Sequence, residues 1–286
     1  MDSLRFAKRN TLVFFRDKAA VFFSLLGVLI IIGLYVLFLG DIIVKGMGFL
    51  GDKARFISDS WIMAGVVSAA SITTAMGAYG TIVTDKDGKR IKDFYSSPIA
   101  RRDIVLGYII SSIAISFILS LLSFIIAEIY ILAYGGKLLA FYRYLQILGV
   151  IILSVFSSSA MMFFLVSFFN SNNAFATGST IIGTLVGFIG GIYLPVGNFP
   201  QAIQAVIKVF PVSHSVSLLR QLMANDELVT LMSGQGLINY RHSMGIFFEV
   251  GGNTLPPFVS VLYLAASAIL FFGLSVIKLR RKGRQR

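Results

Sequence analysis

Few residues of this 286-residue chain are of a type and spacing that make or break bonds. There is no cysteine, so neither a disulfide nor a thiolate metal site is available. There are two histidines, His214 and His242, and neither sits in a His-Glu-x-x-His run. No Gly-x-Ser-x-Gly is present. The stretch Gly46-Met-Gly-Phe-Leu-Gly51-Asp-Lys53 is spaced like a phosphate-binding loop but lacks the Gly-Lys-Ser/Thr end. An intramembrane protease or transferase needs a clustered nucleophile and base, or a metal site, and no such cluster is visible. The residues that stand out are charged ones suited to docking. Thr84–Tyr108 holds Asp85, Lys86, Asp87, Lys89, Arg90, Lys92, Asp93, Arg101, Arg102 and Asp103 between two long apolar runs.

Those runs define the class. The chain is 56% hydrophobic and 13% charged, about half the charge of a soluble domain. Apolar runs longer than about 18 residues read as membrane spans. Six are expected: 19–39, 61–83, 104–134, 144–169, 174–194 and 258–277. The first is too long for a signal h-region and lacks a small-residue cleavage site before Asp41, so no cleaved signal is expected. The second carries fourteen Gly, Ala, Ser or Thr among the 24 residues Trp61–Thr84. Small residues let helices approach closely in lipid, so this span is expected to be enclosed by the others. Tyr144–Ile207 contains no charge and is too long for one crossing, which places a turn at Asn170–Asn173. The fold class is therefore an all-α polytopic membrane protein, a single transmembrane domain over 1–286.

Charge sets the orientation. The net charge of +12 could suggest nucleic acid, but the cations flank apolar runs, so no nucleic-acid partner is expected. The N-terminus, the island and the tail 278–286 together hold seventeen of the 25 Lys and Arg. By the positive-inside rule these three segments are cytoplasmic, and six spans put both termini there. Residues 1–18 read as a basic amphipathic helix, with Arg5, Lys8, Arg9 and Arg16 on one stripe and Leu4, Ala7, Thr11, Phe14 and Phe15 largely opposite. Such a helix lies in the headgroup region, with membrane lipid as its partner.

Three further features bear on transport. Glu128 is the one acid placed inside an expected span; it is either a pathway group or an acid that reaches water near the outer end. Gly183, Gly187 and Gly191 repeat every four residues near Thr180 and Thr184. That face serves helix packing, a dimer seam or a sliding pathway wall. The outer segment 195–256 opens with Pro195, which ends or kinks the fifth span. Pro200 suits the first turn of a short amphipathic helix through Ile203, Val206, Ile207 and Phe210, which Pro211 stops. This helix is expected at the outer interface, possible as a re-entrant element, with a second following through Val216, Leu219, Leu222 and Met223.

Two of these segments carry a family resemblance. The island reads Asp87-Gly88-Lys89-Arg90, then Phe94-Tyr95, Ser97-Pro98 and Arg101-Arg102-Asp103-Ile-Val-Leu-Gly107. The outer segment reads Gly191-x-x-x-Pro195, Phe199-Pro200 and Pro211-x-x-His214. Both resemble the membrane subunits of type-2 ATP-binding-cassette exporters, over essentially the whole chain. Where that family often has Glu-Arg-Glu before the island glycine, Asp85-Lys86-Asp87 stands here.

The resemblance implies a permease half-transporter with no catalytic residue and no cofactor of its own. ATP and Mg would be bound by two copies of a cytosolic ATPase subunit. A second permease, identical or related, would complete the path. Residues 84–103 would be the coupling segment. Its short helix would seat the face formed by Ile91, Phe94 and Tyr95 in a groove of the ATPase, with Lys89, Arg90 and Asp93 beside it and Arg101 and Arg102 at the entry to the third span. The location implied is the cell membrane of a bacterium, and the substrate an amphipathic drug, antimicrobial peptide or lipid-like molecule. Export of a lipid-linked glycan is an alternative, for which Phe156, Phe163, Phe164, Phe168 and Phe169 offer aromatic lining. A subunit that senses an antimicrobial without moving it is another.

Overall fold

A computed structural model describes residues 2–283, with side chains through Lys278. The basic tail beyond Lys278 therefore lies outside the described side chains, and residues 284–286 lie outside the described residues altogether. Two short strands apart, the regular structure is helical.

Helix α1 (Asp2–Arg16) meets α2 (Lys18–Leu34) at Asp17, whose carboxylate accepts the Ala20 amide at 2.9 Å and caps the second helix. A π-helical turn, Tyr35–Leu39, continues α2 into α3 (Gly40–Gly46). A 3₁₀ stretch, Gly48–Lys53, leads to α4 (Ala54–Asp87). The segment Gly40–Ser60, which separates the first two expected spans, is thus helical for most of its length. Its charges are absorbed by pairing: Arg55 bonds Asp41 at 3.0 Å and Asp59 at 3.1 Å, so α4 starts seven residues before Trp61.

At 34 residues, α4 is about 51 Å long and forms the centre of the molecule. It is buried along nearly its whole length between α2, α6 (Arg101–Ala133), α7 (Phe141–Val166), α8 (Asn172–Ile189) and α10 (Pro211–Met223). Its small residues make this possible. At Gly77 an added Cβ would fall 2.1 Å from the Ser24 hydroxyl of α2, so α2 and α4 cross there at a separation that only glycine permits. Hydroxyls supply the polar glue between helices: Ser71 bonds Ser154 at 2.7 Å, Ser68 bonds Ser215 at 3.0 Å and Tyr79 bonds Ser159 at 2.8 Å.

Between α4 and α6 lies the short α5 (Arg90–Ser96). After α8 come α9 (Gln201–Val209), α10, α11 (Asn225–Leu231), α12 (Gly234–Ser243), a two-stranded hairpin β1 (Glu249–Val250) and β2 (Asn253–Thr254), and α13 (Pro257–Gly283). Pro200 directly precedes α9, and Pro211 occupies the first turn of α10 after an 87° bend. Unlike the interfacial helix expected there, α10 is enclosed by α4, α7 and α13, with twelve of its thirteen residues buried.

Among the described residues, five helical stretches are long and apolar enough to cross a bilayer: Lys18–Gly46, Gly48–Asp87, Arg101–Ala133, Phe141–Val166 and Pro257–Lys278. The bent pair α9–α10 would make six. The helix in the place of the expected fifth span, α8, has 18 residues, opens on Asn172 and Asn173, and ends before Pro195 can stop it. The cause is a C-terminal cap. Gly191 turns left-handed at φ +65°, its amide bonds Phe188 O at 3.0 Å and the next amide, Ile192, bonds Gly187 O at 2.9 Å.

Candidate functional site

The end of the bundle carrying the island is built around a buried acid. Asp85, in the last turn of α4, is 1% exposed. Arg9 of α1 donates to it at 2.8 Å and the Tyr108 hydroxyl of α6 at 2.7 Å, while Arg90 of α5 approaches to 3.9 Å. Four helices therefore meet at one carboxylate. Aromatic packing follows the same route. The Phe6 ring of α1 makes edge contacts of 5.1 Å with both Phe94 and Tyr108, and the Arg9 guanidinium lies 5.1 Å from the Phe94 ring. Where α1 crosses α6 stands Gly107, at which an added Cβ would lie 2.7 Å from the Phe6 ring. The closing glycine of the island motif is the gap into which α1 fits.

This packing revises two expectations. Helix α1 turns Phe6, Ala7, Asn10 and Phe14 into the protein against α6 and draws Arg9 inward, so only part of its cationic stripe faces outward. The expected apolar face of α5 is divided. Phe94 is taken by α1, Ile91 is half-buried and turned to a cleft beside α6, and Tyr95 is half-exposed with Arg101 5.2 Å from its ring. Tyr95 apart, the exposed side chains of α5 and of the turn before it are polar: Lys89, Arg90, Lys92, Asp93 and Ser96. Lys89 is held at φ +60°, the left-handed conformation, which turns the chain between α4 and α5. Arg101 and Arg102 are exposed in the first turn of α6.

The glycine repeat on α8 is likewise not one surface. Gly187 lies beneath Tyr193, whose ring would be 1.9 Å from an added Cβ. Gly191 forms the cap. Gly183 faces open space. It borders a half-open cavity of about 450 Å³ lined by α1, α2, α4 and α8, with Thr73, Gly77, Gly80 and Ser179 among its walls and Asp85 and Arg90 at one end. Thr180 is exposed, its hydroxyl bonded back to Ala176 O at 3.1 Å. Glu128 is half-buried and accepts the Tyr144 hydroxyl at 2.9 Å, a bond between α6 and α7 that lies away from this cavity.

The opposite end of the bundle is organised by a residue that sequence reasoning passed over. Arg220 of α10 is 1% exposed. Its guanidinium donates to Gly191 O at 2.8 Å, Met244 O at 3.1 Å and Trp61 O at 3.3 Å, and lies 4.0 Å from the centre of the Trp61 ring. The Trp61 Nε1–H also donates to Met244 O at 2.7 Å. Carbonyl dipoles and an indole face thus replace a counter-ion. The left-handed Gly191 turns its carbonyl to this cation, so the Gly-x-x-x-Pro motif ends one helix and feeds one hub. Pro195 follows that turn, and Phe199 packs with Val196, Ile207 and Phe248. The His214 nitrogens meet Ser260 Oγ at 3.0 Å and Lys208 O at 2.9 Å, and its ring stacks on Tyr263 at 4.2 Å. His242 lies in a different cluster with Glu249 and Thr254. No group of three His, Asp or Glu able to hold a metal occurs among the described residues.

Further from the spans, Glu227 of α11 pairs with Lys137 and, at 3.3 Å, with Lys53. The hydrogen bond from Lys137, then that from Lys53, holds its carboxyl below the usual range despite partial burial.

Long buried and lipid-length helices, polar glue between them and exposed apolar flanks define a multi-pass helical membrane protein. A family model described as ABC-2 family transporter protein matches residues 52–277, and the chain belongs to that family. It is a membrane permease component of an ABC transporter, itself not catalytic, of a kind that works with an ATPase subunit. Comparison with curated proteins gives no match.

Proposed function

We propose that this chain is the permease of an ATP-driven exporter that moves an amphipathic molecule, such as a drug, an antimicrobial peptide or a lipid-like compound, across a bacterial cell membrane. Two ATPase subunits dock on the island end, which is cytosolic, and a second permease pairs with this one beside α8. The observation that carries the reading is the cavity between α2, α4 and α8. Its volume of about 450 Å³ suits a small ligand, its walls are mostly apolar with a few hydroxyls, and it ends at Asp85 and Arg90. The path for substrate and the docking helix therefore share residues. A push on α5 reaches the cavity through Arg90 and, by way of Phe94 and Arg9, through Asp85.

The ATPase contact in this reading falls on the exposed polar side of α5, at Asp93 and Ser96, with Phe94 as the internal link. Of the phenylalanines that would favour a glycan channel, Phe163 lies against Tyr79 and Phe164 against Phe168 and Phe271, while Phe156 and Phe168 are exposed. Gly183→Trp tests the proposal, because it fills the cavity without touching α5. With the ATPase subunit in proteoliposomes, ATP-dependent efflux of an amphipathic dye is expected to fall at least tenfold while the complex still assembles. Unchanged efflux would remove the cavity from the path.

A further inference from the structure

A second cleft, of about 380 Å³, opens at the same end on the other side of α5. Five cationic side chains converge on it from four helices and the α4–α5 turn: Lys86, Lys89, Lys92, Arg101 and Lys278. No carboxylate is among the lining residues. Asp85 is close in sequence, but its oxygens are directed to Arg9 and Tyr108. Lys278 lies over the Phe168 ring, and Arg101 beside Tyr95. Lys89, Lys92 and Arg101 gather like charge at the cleft, and an anion offsets their repulsion.

The floor is apolar: Ile82, Ile104, Val105, Phe163 and Val166. Next in sequence to the lining residues Val105 and Lys278, Leu106 on α6 and Ile277 on α13 are exposed apolar side chains. Cations at the rim and an apolar floor fit an amphiphile with an anionic head, whereas a free anion would have no use for the floor. We propose that this cleft binds one anionic phospholipid of the inner leaflet. The phosphate sits among Lys89, Lys92 and Arg101, and the first acyl carbons lie on Val105 and Ile104. Basic pockets between helices on the cytosolic side are suited to such headgroups. Because Ile91, Lys92 and Tyr95 of α5 form one wall, the lipid also braces the docking helix from behind.

The inference rests on the cytosolic orientation proposed above, and that orientation can be read separately. The chain has no cysteine, so a single Ser96→Cys gives an unambiguous label. The binding test uses the full chain in phosphatidylcholine nanodiscs titrated with fluorescent phosphatidylglycerol. Two independent variants are compared with the parent: the triple Lys89→Asn, Lys92→Gln, Arg101→Gln, which removes charge, and Val105→Trp, which fills the floor and leaves charge intact. A control triple, Arg5→Gln, Lys8→Gln, Arg16→Gln, removes as many cations from α1, outside the cleft.

Each cleft variant is expected to weaken the bound-lipid signal about tenfold and the control less than twofold. Equal loss in both triples with no effect of Val105→Trp would mean diffuse surface charge and overturn the site. Displacement of the lipid by millimolar inorganic phosphate would make it a phosphate site and overturn the lipid assignment. Unchanged lipid binding in both cleft variants would also overturn it, and, if the triple then lost ATPase coupling, would give the cations to an acidic surface of the ATPase. Labelling of Ser96→Cys from the cytosolic side alone keeps the orientation whatever the lipid result.

Discussion

Asp85 and Arg220, buried charges toward opposite ends of the bundle, are held in opposite ways. Asp85 is satisfied by side chains borrowed from other helices, Arg9 and Tyr108, with Arg90 nearby. Arg220 is satisfied by backbone carbonyls and the face of Trp61. Side-chain partners come away when a helix moves, and the helices at issue are α1 and α5, which pack at the edge of the bundle. Backbone partners are fixed by the fold: Gly191 and Met244 present their carbonyls because the chain turns there. The contrast assigns the α5 end to adjustment and the Arg220 end to anchoring.

The largest effect is expected at the anchor. Arg220→Leu removes three hydrogen bonds to buried carbonyls and leaves Met244 O only the Trp61 Nε1–H; at about 1–3 kcal/mol for a carbonyl left unsatisfied, it should lower the unfolding temperature in detergent more than any change at the α5 end. A variant as stable as the parent would break the comparison. Next is Gly107→Val, which places a side chain where Phe6 lies; about 1–3 kcal/mol of overpacking is expected. Faster proteolysis within α1, with the remaining helices intact, is the readout.

The Arg9–Asp85 pair should be smaller and conditional. A double-mutant cycle of Arg9→Gln and Asp85→Asn is expected to give a coupling of about 1 kcal/mol, larger in the resting complex than when the ATPase is trapped with ATP. Equal coupling in both states would deny that this end adjusts. The smallest effect belongs to Glu227. Its folded-state carboxyl titrates lower than in the unfolded chain, so its contribution is present above the ordinary carboxylate range and lost as pH falls through the lower folded value. Glu227→Gln should lower stability slightly at neutral pH and leave the acid end nearly unchanged, so that the acid limb of an unfolding-against-pH curve is flatter.

Much of this arrangement was legible from residue types. The excess of small residues in Trp61–Thr84 predicts an enclosed helix, because in lipid only close backbone approach rewards such a composition. Pro200 marks the start of α9 and Pro211 its end through the geometry of their own rings; that Pro211 also opens α10 came only with the structure. What stayed hidden was pairing over distance. Asp85 reads as one charge in a charged island until α1, 76 positions earlier, brings Arg9 to it. Arg220 reads as a cation of an outer segment, since carbonyls from α4 and from two distant turns leave no mark in sequence. Phe94 reads as an exposed apolar contact because nothing local says that Phe6 will cover it. One signal was available: Gly107 closes the island motif, and a glycine in an otherwise bulky helix face asks what crosses there.

In the proposed coupling, ATPase motion enters this permease through the exposed side of α5 and leaves it through Asp85. The most direct measurement is disulfide or bismaleimide cross-linking from a lone cysteine at Asp93 to the ATPase subunit, with substrate-stimulated ATP hydrolysis read on the same complex. The expected result is an efficient cross-link to the ATPase and, for Asp85→Asn, stimulation reduced at least tenfold with the cross-link retained. No cross-link from Asp93, or full stimulation in Asp85→Asn, would contradict it.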